Sequence, residues 1–517
     1  FMFVDNYLPE SGPFAGAEID PASFDVELDE PPSTAEPTSP EDEDEQRAVL
    51  PNSVAVLPFD NLSPDPDDAY FAIGLHDEIL SQLAKLSNLS VISRTSMLRY
   101  ADSDLSIPEI ARELNVGTVM EGSVRYADNR VRITTQLIDA ATDEHLWSET
   151  YEREFSDIFA IESDIAMNIA NALEAEFSLA EQESIDKQST NSPEAYAFYL
   201  RAISGASGPG VPAIIYDLEQ AIRLDPEFAL AYAAAANWQS ISLLGFGASS
   251  PTQAAELERR AQDNAERALA LDSTLGSAHA ALANIHTANW RGVAAREAFE
   301  RALQYSPNDA NLLTEYARLK RYRGEYAEAI GLMQRAVELD PNNPNRLLNL
   351  GVAYRYARDY GSAAATFRRG LELAPAVITL HINLARAEVA LGNSSEALRQ
   401  LSLIETLFGE DRPNTLRLTQ MAVTYSQAGR SDQAMRLFNE LEERALEEPV
   451  GEASWVRANI AIGDYEQALQ YLESAIRERV PTDVGTLAEL AANAIGDPAL
   501  ETDPRFQELF SRLWDDG

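Results

Sequence analysis

Pro307, Pro341 and Pro375 stand 34 residues apart, and other residues keep the same step. Ala317, Gly351 and Ala385 recur at it, as do Ala329, Ala363 and Ala397, while Gly324 and Gly392 lie two steps apart. A fixed period of this length specifies one helix–turn–helix unit, copied and stacked, because a single unit cannot bury its apolar face alone. Stacks of this kind present long surfaces for binding. The period therefore points to a binding protein before any residue of chemical interest has been found.

The repeats are expected over residues 190–481, in about eight units. The unit from Ala310 to Pro341 carries Ala317, Gly324, Tyr326, Ala329 and Ala336, which resemble the small-residue and aromatic anchors of the tetratricopeptide pattern. Earlier units close at Pro226 and Ser273, and the excess length between them is assigned to a Gly- and Ser-rich loop near Leu243 to Thr252. Later units show Gly392, Gly429 and Gly463, with Ala434 and Ala468 in step. Residues 482–517 lose the pattern. There Phe506, Leu509, Phe510, Leu513 and Trp514 space out as one amphipathic helix, expected to cap the last apolar face.

Residues 52–180 read differently. Ser53 to Phe59 is a continuous apolar run, the mark of a buried strand. Asp67 to Leu86 has helical spacing through Phe71, Leu75, Ile79 and Leu83, and Leu89 to Ile92 is a second short strand. Ile107 to Leu114 is a helix with Pro108 in its first turn. Val116 to Tyr126 and Arg130 to Ile138 alternate as strands about a turn at Ala127-Asp128-Asn129, a further strand follows near His145 to Tyr151, and Asp157 to Phe177 closes as a helix. The order β-α-β-α-β-β-β-α predicts a small α/β domain with a mixed sheet and packed helices, followed by an all-α solenoid.

The blocks SVAVLPFDNLSPDPDDAYFAIGLHDEILSQLAKL, IARELNVGTVMEGSVRYADNRVRITTQLIDA and HLWSETYERE resemble the TolB amino-terminal-like (FlgO-like) domain over about residues 52–178. That resemblance implies a domain that precedes tetratricopeptide repeats outside the inner membrane, downstream of a membrane anchor and a cytoplasmic effector. On this basis the chain is expected to be an extracytoplasmic fragment, periplasmic or on the cell surface, with its anchoring or export segment upstream of Phe1-Met2-Phe3-Val4.

Residues 1–51 read as a tether. Eight prolines forbid a long helix, and Glu18 to Glu45 holds twelve acids without Lys or Arg. Glu41 to Glu45 lacks the Gly and spaced ligands of a Ca²⁺ loop and reads as a solvated charge run. Within the tether, Phe24-Asp25-Val26-Glu27-Leu28-Asp29 alternates strictly, so Phe24, Val26 and Leu28 are a candidate strand-donor segment.

Composition narrows the partners. The 517 residues carry a formal net charge of −44, with three lysines (Lys85, Lys187, Lys320) among 40 basic residues. Such a surface repels nucleic acid and anionic membrane. No cysteine is present, which removes disulfides, thiolate metal sites and thiol nucleophiles. No Walker A loop, G-x-S-x-G or H-E-x-x-H motif occurs. His279 and His286 lie seven apart with no third ligand near in sequence, and Asp65, Asp67 and Asp68 read as turn and N-cap residues. No catalytic residue, metal site or cofactor is expected, and a protein or peptide partner is.

One segment opposes the global charge. Ala317 to Arg358 holds eight bases against four acids. If the first helix of each unit lines the groove, Asn311, Thr314, Arg318 and Arg321 face it from one unit, Asn345, Leu348 and Arg355 from the next, and Arg386 from the one after. Two readings stand: an open arginine-lined site for an acidic partner, or pairing with acids of neighbouring helices. On the first, exchanging Arg318 and Arg321 for Glu removes partner capture and leaves stability nearly unchanged. Two functions follow: a non-catalytic scaffold or sensor that binds through the groove, or a structural subunit that self-associates into a filament by stacking and strand addition.

Overall fold

The structure, a computed structural model, describes residues 49–514 apart from 51, 66–67, 102, 129, 176, 186, 205, 208–209, 245–250, 409–412, 448–449, 479–483 and 493–495. The segment holding Phe24, Val26 and Leu28 lies outside the described residues, as does most of the expected loop near Leu243 to Thr252. The described elements belong to one compact unit, Leu50–Gly517.

It opens with β1 (Ser53–Val56), β2 (Asp60–Asn61), α1 (Ala69–Ala84), β3 (Ser90–Val91), α2 (Arg94–Leu98) and α3 (Ile107–Leu114). The long strands β4 (Thr118–Ala127), β5 (Arg130–Asp139) and β6 (His145–Glu154) follow, then α4 (Ile158–Ala172). The sheet runs β3-β1-β4-β5-β6, with β2 beside β4. β1 is parallel to β3 and β4, and β4, β5 and β6 form an antiparallel meander. The sheet is mixed, as the order of elements predicts.

The apolar run at β1 is explained by burial on both sides. Val54 and Val56 pack with α1 and α4, while Ala55 turns to the other face among Ile92, Met97, Ile110 and Leu114. The β4–β5 hairpin closes with Ala127 opposite Arg130, and Asp128 takes φ 52°, the left-handed turn conformation. Helix α3 begins with a capping box between Ser106 and Glu109. β2 and α2 were not expected. They are two and five residues long, too short for any periodicity to register.

Eight helix pairs follow, from Pro193–Ser204 with Val211–Leu224 to Glu452–Ile462 with Tyr465–Glu478. Their period is visible in the backbone. Trp290, Gly324, Arg358 and Gly392 sit 34 apart, and all four have positive φ, at 60°, 79°, 62° and 83°. Gly is the comfortable residue there. Trp290 is held instead by burial against Trp514, ring centroids 5.3 Å apart.

The Ala/Gly position of the period is set by its opposite number in the second helix. Gly351 faces Phe367 within its pair, and at the same step Ala317 shares a buried cluster with Met333 and Ala385 one with Leu401. Where the facing residue is the ring of Phe367, a Cβ at position 351 would collide with it.

The sheet domain is fastened to the repeats at two distant places. Helix α1 lies so close to Pro193–Ser204 that a Cβ on Gly74 would stand 2.9 Å from Leu200 Cβ. Beneath this contact, Tyr196 Oη donates to buried Glu162 and Tyr199 Oη to buried Glu78, while Gln82 donates to Glu78 at 2.9 Å. About 110 residues later the turns of the third to fifth pairs grip the β3 side (residues 86–100). Asn308 Nδ2 donates to the carbonyls of Leu86 and Leu89, both at 2.8 Å. Ser93 N donates to Leu339 O at 2.7 Å, and Ser96 Oγ donates to Asp340 at 2.7 Å.

Two outcomes follow from this packing. Gly351→Ala should lose about 1–3 kcal/mol in chemical denaturation, while Gly331→Ala, where a Cβ meets nothing, should not destabilise. Burial first, and then Glu78, pushes the Glu162 carboxyl well above its ordinary range. A carboxyl raised in this way takes up a proton on folding and costs stability as pH rises through its folded value. Glu162→Gln, which keeps an acceptor for Tyr196, should therefore melt with a shallower fall in Tm between about pH 5 and about pH 8. Identical slopes in thermal melts of the two proteins would contradict this.

Candidate functional site

The first helices of successive pairs touch one another along the array and line one face. The described residues 484–492 and 496–514 lie against that face. Helix Val484–Ala491 contacts both Ala310–Tyr322 of the fourth pair and Glu452–Ile462 of the eighth. Its Val484, Leu487 and Leu490 are buried in a cluster with Ile382, Met421 and Val456. Gly485 passes so near Tyr322 that a Cβ would stand 3.0 Å from its hydroxyl. Phe506, Phe510 and Leu513 join the same cluster, and Trp514 reaches Trp290.

At the centre lies one carboxylate among three guanidiniums. Arg355 Nη2 and Arg386 Nη2 each donate to Glu489 Oε1 at 2.7 Å, and Arg457 Nη2 donates to Oε2. The four side chains are 2%, 6%, 1% and 5% exposed in the order Arg355, Arg386, Arg457, Glu489. Burial alone would raise the Glu489 carboxyl. Arg386, Arg457 and Arg355 outweigh it and hold the group well below the carboxylate range. Burial, and next Arg386, push Arg355 down to about 10. Arg386 Nη1 and Arg457 Nε and Nη1 are buried without a hydrogen-bond partner in the protein.

The other predicted residues divide. Asn311 and Thr314 hold an arginine that the sequence did not single out: Arg346 Nη1 donates to Thr314 Oγ1 at 3.0 Å and Nη2 to Asn311 Oδ1 at 2.5 Å. Arg346 Nε donates to Asp340 at 3.0 Å, so this group joins the repeats to the sheet domain through Ser96. Asn345 is buried at the start of Pro344–Tyr356. Arg321 is buried with its guanidinium over two rings, 4.7 Å from the centroid of Tyr356 and 5.2 Å from that of Tyr322. Arg318 is half-buried and donates to Asn284 Oδ1 at 3.5 Å.

The open positive island expected at Arg318, Arg321, Arg355 and Arg386 is thus a covered one. Arg355 and Arg386 do converge on the inner face, but they meet a carboxylate of the same chain. The indifference of stability expected on exchanging Arg318 and Arg321 for Glu is at odds with this packing, since the Arg321 guanidinium is buried against tyrosines. Arg457 and Glu489 were missed. Arg457 stands on a first helix, as the four expected arginines do, but two units beyond Arg386 and far from the basic segment that drew attention to the first three. Glu489 was read only as part of a terminal cap. Among the described residues no group of three or more His, Asp or Glu side chains gathers in a way that holds a metal ion.

Comparison with known proteins agrees with the repeats and redirects the reading of the sheet domain. Two tetratricopeptide-repeat family models match residues 317–355 and 348–405. The C-terminal part carries tetratricopeptide repeats. The model matching residues 50–167 is that of the HilA/YgeH-like transcriptional regulator, second domain, where the sequence blocks pointed to the TolB amino-terminal-like domain. A 150-residue stretch is 44% identical to the "Putative adenylate cyclase 3" of Rhizobium meliloti (strain 1021), covering 29% of this chain and 26% of that protein. The chain therefore matches about a quarter of that curated relative's length. Similar solved structures include YrrB, described as a TPR protein with an unusual peptide-binding site (21% identity, 39% of this chain, 95% of that one, TM-score 0.30). A tetratricopeptide repeat protein from Parabacteroides merdae ATCC 43184 is 16% identical over 62% of this chain and 99% of that one, TM-score 0.33.

Glu489→Ala should leave three buried guanidiniums around an empty position and cost about 3–5 kcal/mol in denaturant unfolding, as expected when one member of a buried ion pair is removed. A loss below about 1 kcal/mol, the worth of an exposed pair, would mean that the cluster is solvated in solution. The carboxyl is depressed in the folded state, so this contribution is present above the ordinary carboxylate range and is lost only as pH falls through the lower folded value.

Proposed function

We propose that the chain is a non-catalytic scaffold or sensor module that binds a protein or peptide partner through the inner face of its repeats. The observation that carries this reading is the gathering of Arg318, Arg321, Arg355, Arg386 and Arg457 on first helices in a chain of net charge −44. Guanidinium grips carboxylates by paired hydrogen bonds, and arginines gathered on one face of a negative protein, though covered here by Glu489 and tyrosine rings, suit that face to an acidic partner. The two-point attachment of the sheet domain supports a sensing role, since strain in the third to fifth pairs reaches β3 through Asn308, Leu339 and Asp340.

The partial matches are to proteins named for two different outputs, transcriptional regulation and cyclic-nucleotide synthesis. A chain that shares parts with proteins of unlike output fits the input side of a regulator. The TolB-like blocks support an extracytoplasmic place for that input, behind an upstream membrane anchor. Self-assembly is the second reading, and β6 speaks against it by that edge. This strand lies at the end of the sheet and carries Glu149, Glu152, Arg153 and Glu154, charges that discourage strand addition.

The purified chain should turn over neither ATP nor GTP in the presence of Mg²⁺ or Mn²⁺. A labelled peptide of residues 36–45, used as an acidic probe, should bind at about 0.1 M salt and be released at about 1 M, where the Debye length has fallen to about 3 Å. Arg318→Glu should weaken that binding several-fold and, because Arg318 offsets the burial of the Glu315 carboxyl, should lower Tm modestly without unfolding the chain. Turnover abolished by a single substitution, or binding indifferent to both salt and Arg318→Glu, would overturn the reading.

A further inference from the structure

We propose that helix Val484–Ala491 is a resident ligand of the repeats, and that the partner is an amphipathic α-helix presenting a carboxylate in the same pattern, which enters by replacing it. This rests on the reading of the inner face as a binding surface and adds what that surface recognises.

Charge gives the first argument. A staple built only for stability would balance its ions. Here three buried guanidiniums from the fifth, sixth and eighth pairs converge on a single carboxylate, and three of their N–H donors face no acceptor. Buried ion clusters lose much of their Coulomb gain to desolvation, and apolar side chains of equal volume hold a fold as well or better. Convergent donors in excess are the construction of a carboxylate-binding site.

The shape of the occupant gives the second. Val484, Leu487 and Leu490 fall three apart and enter the apolar lining, while Glu489, more than a quarter-turn round the helix from each of them, meets the arginines, so the groove holds the helix on two faces. Three apolar anchors and one acid along a short helix are the way a helical peptide reads a groove. Eight residues are too few for a helix that is stable by itself, so its order comes from the groove.

Covalent attachment gives the third. A tethered ligand acts at an effective concentration in the millimolar range, so it outcompetes a free helix of equal intrinsic affinity until the partner brings further contacts. A site filled in this way keeps Arg355, Arg386 and Arg457 closed to casual acidic sequences, which reach only the half-buried Arg318, and it opens to a partner with the full pattern.

The test uses the full chain and a labelled peptide of residues 484–491. Leu487→Ala with Leu490→Ala in the chain weakens the resident helix without touching an arginine. The peptide should bind this variant at least tenfold more tightly than it binds the wild type, and a peptide carrying Glu489→Gln should lose at least tenfold. Equal affinity for both chains, or equal affinity of both peptides, overturns the proposal. If the double variant does not fold, wild-type chain suffices: excess peptide should speed amide hydrogen exchange within 484–491, and unchanged exchange at saturating peptide overturns the proposal.

Two other occupants have their own signatures. Mass doubling with concentration in light scattering, abolished by Glu489→Gln, would assign the site to a second copy of the chain. Displacement of the peptide by millimolar inorganic phosphate would make the cluster an oxyanion site. Either result overturns the assignment to a partner helix. The earlier reading fails separately, through turnover or through salt-indifferent binding at Arg318, and neither measurement involves residues 484–491.

Discussion

The fold turns on the balance around Glu489. Its two oxygens take hydrogen bonds from Arg355, Arg386 and Arg457, which belong to three different helix pairs. Taking four charges out of water costs several kcal/mol for each ion, and mutual repulsion among the arginines adds to that. One carboxylate within bonding distance of all three makes the arrangement tolerable. The lowered Arg355 and the strongly depressed Glu489 are the two sides of this balance: the arginine bears the burial, and the acid collects the compensation. Helix Val484–Ala491 therefore acts as a counter-ion as much as an apolar plug. It links pairs that would otherwise touch only their neighbours, which is where a repeat array is mechanically weak.

The sheet domain ties the other side. Its contacts fall at the first helix pair, through α1, and again at the turns carrying Asn308, Leu339 and Asp340. Asp340 is the meeting point. It accepts from Ser96 of the sheet domain and from Arg346 of the fifth pair, and Arg346 in turn holds Asn311 and Thr314 of the fourth. A displacement of the fourth pair against the fifth must break or carry along this network. The inner-face cluster spans the fifth, sixth and eighth pairs, so the fifth pair takes part in both ties. Arg346 and Arg355 lie nine residues apart on one helix, one serving the sheet domain and the other the C-terminal segment.

What could be read in advance was whatever repeats at short range. The 34-residue step showed in small residues because two helices of a pair can approach only where a side chain is missing, and strand alternation in β4 and β5 showed because one face of each is buried. The same logic explains the partial failure at the pair-closing turn. Only Gly324 and Gly392 advertise the left-handed conformation, yet Trp290 and Arg358 adopt it too. Composition reports a backbone conformation when nothing else enforces it. At Trp290 the enforcement comes from Trp514, 224 residues further on, which no local pattern reveals. The arginine cluster is the same case on a larger scale. Its bonds span 134, 103 and 32 residues, and Glu489 looks like any other acid in a chain with 84 of them.

That abundance of acids bears on the last point. In a chain of net charge −44, an exposed arginine finds an acid nearby in almost any arrangement, as Arg259 does with Glu256 and Asp263 and Arg505 with Asp503 and Glu466. Such pairs contribute little each and specify little. Specificity needs arginines that ordinary surface acids do not reach, which means burying them. The repeats do so by placing Arg321 on tyrosine faces and by closing Arg355, Arg386 and Arg457 under one helix. On the proposed reading, an acidic protein with an acidic partner has to keep its own surface from answering first, and the covered cluster is built in the way that requirement demands.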